Sequence, residues 1–241
     1  MQRFFLGTAA ALAMTGSVMA ADLPAKAPPR AAPPPVQLYN WTGCYIAGGG
    51  GYGMFNQDVT TSESDGSVTI GGRGWFGTVG AGFDLQIGER WVFGAFGDYD
   101  FSGPRGDFVL LGTDLTGREK QDSAWAVGGR LGYTLTPTIL TYVNAGYSQA
   151  RFDAIDLSQS GFSVGSHTYS GWFLGGGYEY RLDWFPGLFW KTEYRYAQYG
   201  RDNLTLLDGG APVTDVTVTS EKTIQTIRSE LVWRFNWGGR Y

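Results

Sequence analysis

The sequence predicts an all-β chain: an eight-stranded antiparallel transmembrane β-barrel with four long outer loops and short periplasmic turns. Three observations carry that expectation. Residues 75–87, WFGTVGAGFDLQI, alternate without a break, with Trp75, Gly77, Val79, Ala81, Phe83, Leu85 and Ile87 all apolar or Gly. Period 2 is strand geometry, and this run exceeds the about 5–6 residues usual in water while suiting a tilted strand that crosses a bilayer in ~9–11. The chain also holds 38 Gly, is 16% aromatic and only 17% charged. That composition suits tightly turned strands with aromatic rings at membrane interfaces more than a helical enzyme. Finally, connections of about twenty residues alternate with turns of three to five, as in outer-membrane barrels with long loops outside and short turns inside.

The chain opens on residues 1–20, where Arg3 precedes an apolar run that ends in Val18-Met19-Ala20. This reads as a secretory signal peptide with Ala21 as the first mature residue. Residues 21–39 follow as a Pro-rich periplasmic linker, since 22–37 hold six of the ten prolines and almost nothing to bury. Residues 40–241 are then one barrel domain.

Within it, 41–55 is the first strand, with Cys44, Ile46, Tyr52 and Met54 toward lipid and mostly Gly toward the interior, which leaves room for side chains from elsewhere. Residues 56–74 are polar and read as a loop. Strand 75–87 turns at Gly88-Glu89-Arg90 into 91–101, where Trp91, Phe93, Ala95, Tyr99 and Phe101 oppose Asp98 and Asp100. A long connection, 102–121, leads to 122–133, which returns through a turn at 134–138 into 139–148. Polar residues 149–168 precede strand 169–182, and a turn containing Pro186 leads to 188–199. After 201–220 the last strand carries Leu231, Trp233, Phe235, Trp237 and Tyr241 in one register against Arg228, Glu230 and Arg234 in the other.

Both termini are then expected on the periplasmic side. Trp91, Tyr133, Tyr180, Trp190, Trp233 and Phe235 form a lower aromatic ring, and Trp75, Tyr99, Phe101, Trp125, Trp172 and Tyr196 an upper one. Indoles and phenols favour these levels because one end is apolar and the other bonds to headgroups or water.

The alternation sends twelve charges inward: Asp84, Asp98, Asp100, Glu179, Glu193 and Glu230 against Arg130, Arg181, Lys191, Arg195, Arg228 and Arg234. An eight-stranded interior is only wide enough for side chains to fill, and buried charges need partners to offset desolvation. These twelve read as a paired lumen network that closes the barrel; a narrow porin passing small solutes is the alternative.

Other chemistry is sparse. Cys44 is the only cysteine and reads as a packed or lipid-facing thiol. Gly48, Gly50 and Gly53 satisfy a GxGxxG pattern, but no helix follows to receive a pyrophosphate. His167 is the single histidine and falls in a polar stretch, so no His-ligand metal cluster exists. Arg105-Gly106-Asp107 is a tripeptide that adhesion receptors read, here a three-residue match in a loop. The net charge of −4 gives no basic surplus for nucleic acid. No catalytic residue, cofactor or metal site is expected.

Asn40-Trp41-Thr42-Gly43-Cys44-Tyr45-Ile46, Gly129-Arg130-Leu131-Gly132-Tyr133, Gly175-Gly176-Gly177-Tyr178-Glu179-Tyr180, Lys191-Thr192-Glu193-Tyr194-Arg195-Tyr196 and the ending Arg234-Phe235-Asn236-Trp237-Gly238-Gly239 together resemble the alphaproteobacterial outer-membrane immunogenic proteins, small porin-like barrels. The run ADLPAKAP after the signal adds to the likeness, which spans the chain. Phe96 departs from it, standing where the family often carries a carboxylate. The resemblance implies a non-enzymatic envelope protein, with outer-membrane lipid and lipopolysaccharide around it. It also implies insertion by the barrel assembly machinery, which reads the C-terminal strand through Leu231, Trp233, Phe235, Trp237 and Tyr241. Peptidoglycan and ligands of the outer loops are further candidate partners.

Overall fold

A computed structural model describes residues 39–61, 67–101, 103–109, 116–158, 161–204, 206–213 and 218–235. The signal peptide, nearly all of the linker, and Trp237 and Tyr241 lie outside the described residues. Eight long strands follow one another: β1 (Gly43–Thr61), β2 (Ser67–Ile87), β3 (Trp91–Phe101), β4 (Thr116–Thr136), β5 (Ile139–Phe152), β6 (His167–Arg181), β7 (Leu188–Leu204) and β8 (Val218–Phe235). Each pairs antiparallel with its neighbours in the chain, and β1 pairs with both β2 and β8, which closes the ring. Following backbone partners once round from Ile46, through Ala81, Gly97, Val127, Tyr147, Trp172, Gln198 and Thr223, returns to β1 at Asn56, ten residues from the start. That stagger tilts the strands by about 40° and leaves an interior that side chains can fill.

Short turns sit at one end of the ring, 88–90, 137–138 and 182–187, with Gly88 at φ 67° and Gly187 at φ 83° supplying the left-handed backbone. At the other end, strand Arg105–Val109 resumes the path of β3 after a break and pairs with the start of β4. Strands Ile155–Asp156, Phe162–Val164, Leu206–Asp208 and Ala211–Pro212 form a small second sheet from the third and fourth connections.

The strands reach further into this loop end than lipid-facing alternation alone predicts. Residues 56–61 and 67–74, read as loop, belong to β1 and β2, and 116–121 belongs to β4. The cause is an inversion of polarity. Up to the ring of Trp75, Trp125 and Trp172, apolar side chains point outward and charged ones inward. Beyond it, Asn56, Asp58 and Thr60 point outward while Phe55 and Val59 are buried. On β6 the same change runs from outward Trp172 and Leu174 to outward Thr168 and Ser170, with Tyr169 buried between them. The barrel therefore continues past its lipid-facing band as a wall with an apolar inside and a wet outside. Arg105-Gly106-Asp107 lies on a paired strand rather than in a loop, and His167 is the first residue of β6.

A filled lumen as the candidate functional site

The lumen is filled in layers. At the turn end, Tyr39 and Trp41 precede β1 and fold inward against Phe189, with ring centroids 5.0–5.3 Å apart. The Trp41 amide donates to Gln86 Oε1 at 2.8 Å and the Gln86 amide to Thr42 Oγ1 at 3.0 Å, which fastens this segment to β2. Trp41, expected as a strand residue, is instead a fully buried stopper packed with Val92, Leu140 and Val232.

Directly above it, four charges close into a ring. Arg130 donates through Nε to Asp84 Oδ1 at 2.7 Å and through Nη1 to Glu179 Oε1 at 2.5 Å. Arg234 donates through Nη1 to Asp84 Oδ2 at 2.7 Å and through Nε to Glu179 Oε2 at 3.1 Å. Two guanidiniums thus share two carboxylates, and their flat faces lie over Tyr45, at 4.6 and 5.0 Å, and Trp41. Such cation–π contacts strengthen when desolvated.

A second network fills the middle. Lys191 pairs with Glu230 at 2.5 Å and Glu193 at 3.6 Å. Arg195 bridges Glu193 to Asp98, donating to Asp98 at 2.9 and 2.7 Å, and Arg228 continues to Asp98 and Asp100. Tyr142 and Asn144 donate to the remaining Glu193 oxygen at 3.0 and 2.9 Å. Four carboxylates here meet three cations. The surplus is one negative charge.

Past the upper aromatic ring the lumen turns apolar, with Phe55, Val59, Phe108, Phe152, Tyr169, Ile224 and Leu206 buried together. Lys222 carries a buried cation into this plug. It pairs with Glu119, and its ammonium lies 3.3 Å from the Phe152 ring centroid and 4.6 Å from that of Tyr169. The small sheet adds Ile155 and Val164 to the same cluster, and Leu157 beside it joins them.

Of the twelve charges expected inside, eleven are buried in these layers. Arg181 is not: it follows the inward register of β6, but the strand ends there, and its guanidinium turns to Asp183 at the rim. Leu231, Trp233 and Phe235 face outward on the last strand. Cys44 is exposed on the outer wall. His167 Nε2 lies 2.9 Å from Asp202 at the loop end. Among the described residues no group of three His, Cys, Asp or Glu side chains is placed to hold a metal.

Three contributors escaped the sequence reading. Lys222 shares the inward parity of Ile224 and Arg228 and was legible by carrying the alternation six residues back from Arg228. Glu119 was not, because the register of β4 shifts between Gln121 and Ser123 and reverses which parity points inward. Gly94 is the third. It stands between Asp84 and Arg130 as backbone partner of both, so the ion pair closes over a strand that has no side chain at that point.

A closed ring of strands with apolar side chains outside and charge inside defines an integral β-barrel membrane protein. Residues 8–235 match the model of the outer membrane protein beta-barrel domain, and the chain belongs to that family. It is 29% identical to the 31 kDa outer-membrane immunogenic protein of Brucella melitensis biotype 1, over 98% of this chain and 100% of that one. It is likewise 29% identical to the 25 kDa outer-membrane immunogenic protein of Brucella abortus biovar 1, over 95% of each. Among solved structures, OprG of Pseudomonas aeruginosa superposes with a TM-score of 0.56 at 15% identity, covering 82% of this chain and 98% of that one, a likeness of fold alone. The protein is an outer-membrane β-barrel, as the sequence resemblance implied.

Proposed function

We infer that the protein is a non-conducting barrel that supports the envelope mechanically and presents its loop end at the cell surface, with no reaction of its own. The observation that carries this reading is the layered filling of the lumen: an aromatic stopper, two ion-pair networks and an apolar plug in series. Such a filling braces the wall and leaves a hydrated solute no continuous polar path. In this reading the signal peptide is removed and the turn end, with both termini, faces the periplasm. The Pro-rich segment then extends toward peptidoglycan. Lipopolysaccharide surrounds the upper wall, and the outward Leu231, Trp233 and Phe235, continued by Trp237 and Tyr241, present the last strand to the assembly machinery.

Conductance of the refolded mature protein in a planar bilayer tests it, with heat-modifiable gel mobility showing that the barrel has formed. A folded and silent barrel is the expected result. Discrete current steps that change when Arg130 or Glu193 is neutralised would instead establish a narrow porin.

A further inference from the structure

Two arginines face each other on the outer wall. Arg73 of β2 and Arg105 of strand Arg105–Val109 are direct antiparallel partners, and Arg105 in turn opposes Lys120 of β4. Opposed side chains on one face start about 5 Å apart, and like charges there repel. Other cations of the wet wall have carboxylate partners, Lys120 3.7 Å from Asp153 and Arg201 3.1 Å from Glu221, though Arg151 has none among the described residues, and beside the two arginines Arg118 lies 3.9 Å from Asp107. Among the described residues neither Arg73 nor Arg105 has a carboxylate within ion-pair distance.

Around them lies an open hollow of ≈ 640 Å³. Among the described residues Arg73, Arg105 and Arg118 line it against one acid, Asp107, a local excess of two positive charges. Outward-facing Gly71 puts no side chain into the space, the backbone of Gly72 and Gly106 forms part of its floor, and its lower wall is Tyr52 and Met54. The height on the barrel is set by Trp75. That indole is 77% exposed on the lipid-facing wall and meets Tyr52 at 5.1 Å, the position of an interfacial aromatic. Arg73 is two residues further along the same face of β2, about 5 Å beyond Trp75 on a tilted strand. An unneutralised cationic pair thus stands at headgroup height, above an apolar wall that acyl chains cover.

We propose that this hollow binds the phosphorylated headgroup of an outer-leaflet glycolipid, the phosphate lying between Arg73 and Arg105 and the acyl chains running down past Tyr52 and Met54. Guanidinium groups grip phosphate through paired, charge-assisted hydrogen bonds, and one dianionic phosphate cancels the local excess. The assignment to the outer leaflet rests on the loop end facing the cell exterior; the binding site itself does not.

The test titrates the refolded full mature chain, in detergent micelles, with bis-phosphorylated lipid A and counts bound lipid by native mass spectrometry. Saturable binding of one lipid is expected, weakened about tenfold or more in R73Q/R105Q and unchanged in R201Q, with gel mobility reporting intact barrels for all three. Lipid A stripped of its phosphates is expected to bind wild type no better than the intact lipid binds the double variant. Equal binding by R73Q/R105Q and wild type overturns the site. Displacement of the lipid by equimolar inorganic phosphate makes it a free-anion site and overturns the headgroup assignment. Micelles have no sides, so orientation is read separately: A211C, exposed at the loop end and outside the hollow, is expected in a C44S background to react with an impermeant maleimide on intact cells. A barrel that binds lipid A in micelles but resists that label keeps the site and overturns its placement in the outer leaflet.

Discussion

Arg130 and Glu179 meet at 2.5 Å across the lumen from β4 and β6, two strands that are not neighbours in the ring. Backbone pairing holds each strand only to the next, so this contact is a strut, and Arg234 with Asp84 completes it from β8 and β2. Removing one member strands a buried guanidinium, whereas removing an acid and a base together leaves a matched pair. E179L is therefore expected to lower stability by about 3–5 kcal/mol. R130M/E179M, which keeps Asp84 and Arg234 paired at 2.7 Å, is expected to lose less. Urea unfolding in micelles, followed by gel mobility, ranks the two; a double variant weaker than the single one contradicts the strut.

The glycine beneath that strut gives a second test. A methyl group at Gly94 would lie 2.9 Å from Arg130 Cγ and 3.1 Å from its Nε, and against the Asp84 carboxylate. G94A is expected to cost about 1–3 kcal/mol by forcing those side chains apart. G129A, on β4 opposite Ala95 and facing outward with only an ordinary contact to the Gly94 carbonyl at 3.7 Å, is expected to be near neutral. The same unfolding measurement compares them.

How much of this was legible in the sequence follows from how the barrel is built. Val79, Phe83 and Leu85 face lipid, and Asp84, Asp98, Glu193 and Arg228 face inward, where alternation placed them, because one apolar and one charged face is what a bilayer imposes on every strand. Past Trp75 that contrast reverses, so Phe55, Val59 and Tyr169, apolar residues pointing inward among polar ones, carried no lipid-facing signal and their segments read as loop. Glu119 was hidden by the register shift beside it. Trp41 was hidden because it reads as the first residue of strand 41–55, and only its contacts with Phe189 and Arg234 show it to be a stopper ahead of that strand. The opposition of Arg73 and Arg105 depends on pairing between segments far apart in the chain, which no local pattern contains.

Facing on β2 can be tested by charge. V79R and F83R place a cation on the lipid side of the wall, where it costs about 2–4 kcal/mol near the bilayer midplane. T78R points into the lumen beside Asp100, its backbone partner on β3, in the network with one surplus carboxylate. The folded fraction recovered in lipid vesicles is expected to fall sharply for the first two and less for T78R. Equal losses at all three positions would refute the assignment of faces.

In the non-conducting reading proposed above, the layers of the lumen act in series, which makes a distinctive prediction for conductance. Trp41 stops the turn end, the Arg130–Asp84–Arg234–Glu179 ring lies directly behind it, and Phe55, Phe152 and Tyr169 close the loop end. Deleting one layer leaves the others across any path. W41A is expected to lose about 3–5 kcal/mol of stability, the usual cost of a buried tryptophan, and F152A a comparable amount, yet both should remain silent in a planar bilayer once folded. Current steps in W41A alone would mean that the charge layers behind the stopper admit water and ions. Trp41, and neither the charge layers nor the loop-end plug, would then be the gate, and the barrel a porin held shut by the segment that precedes its first strand.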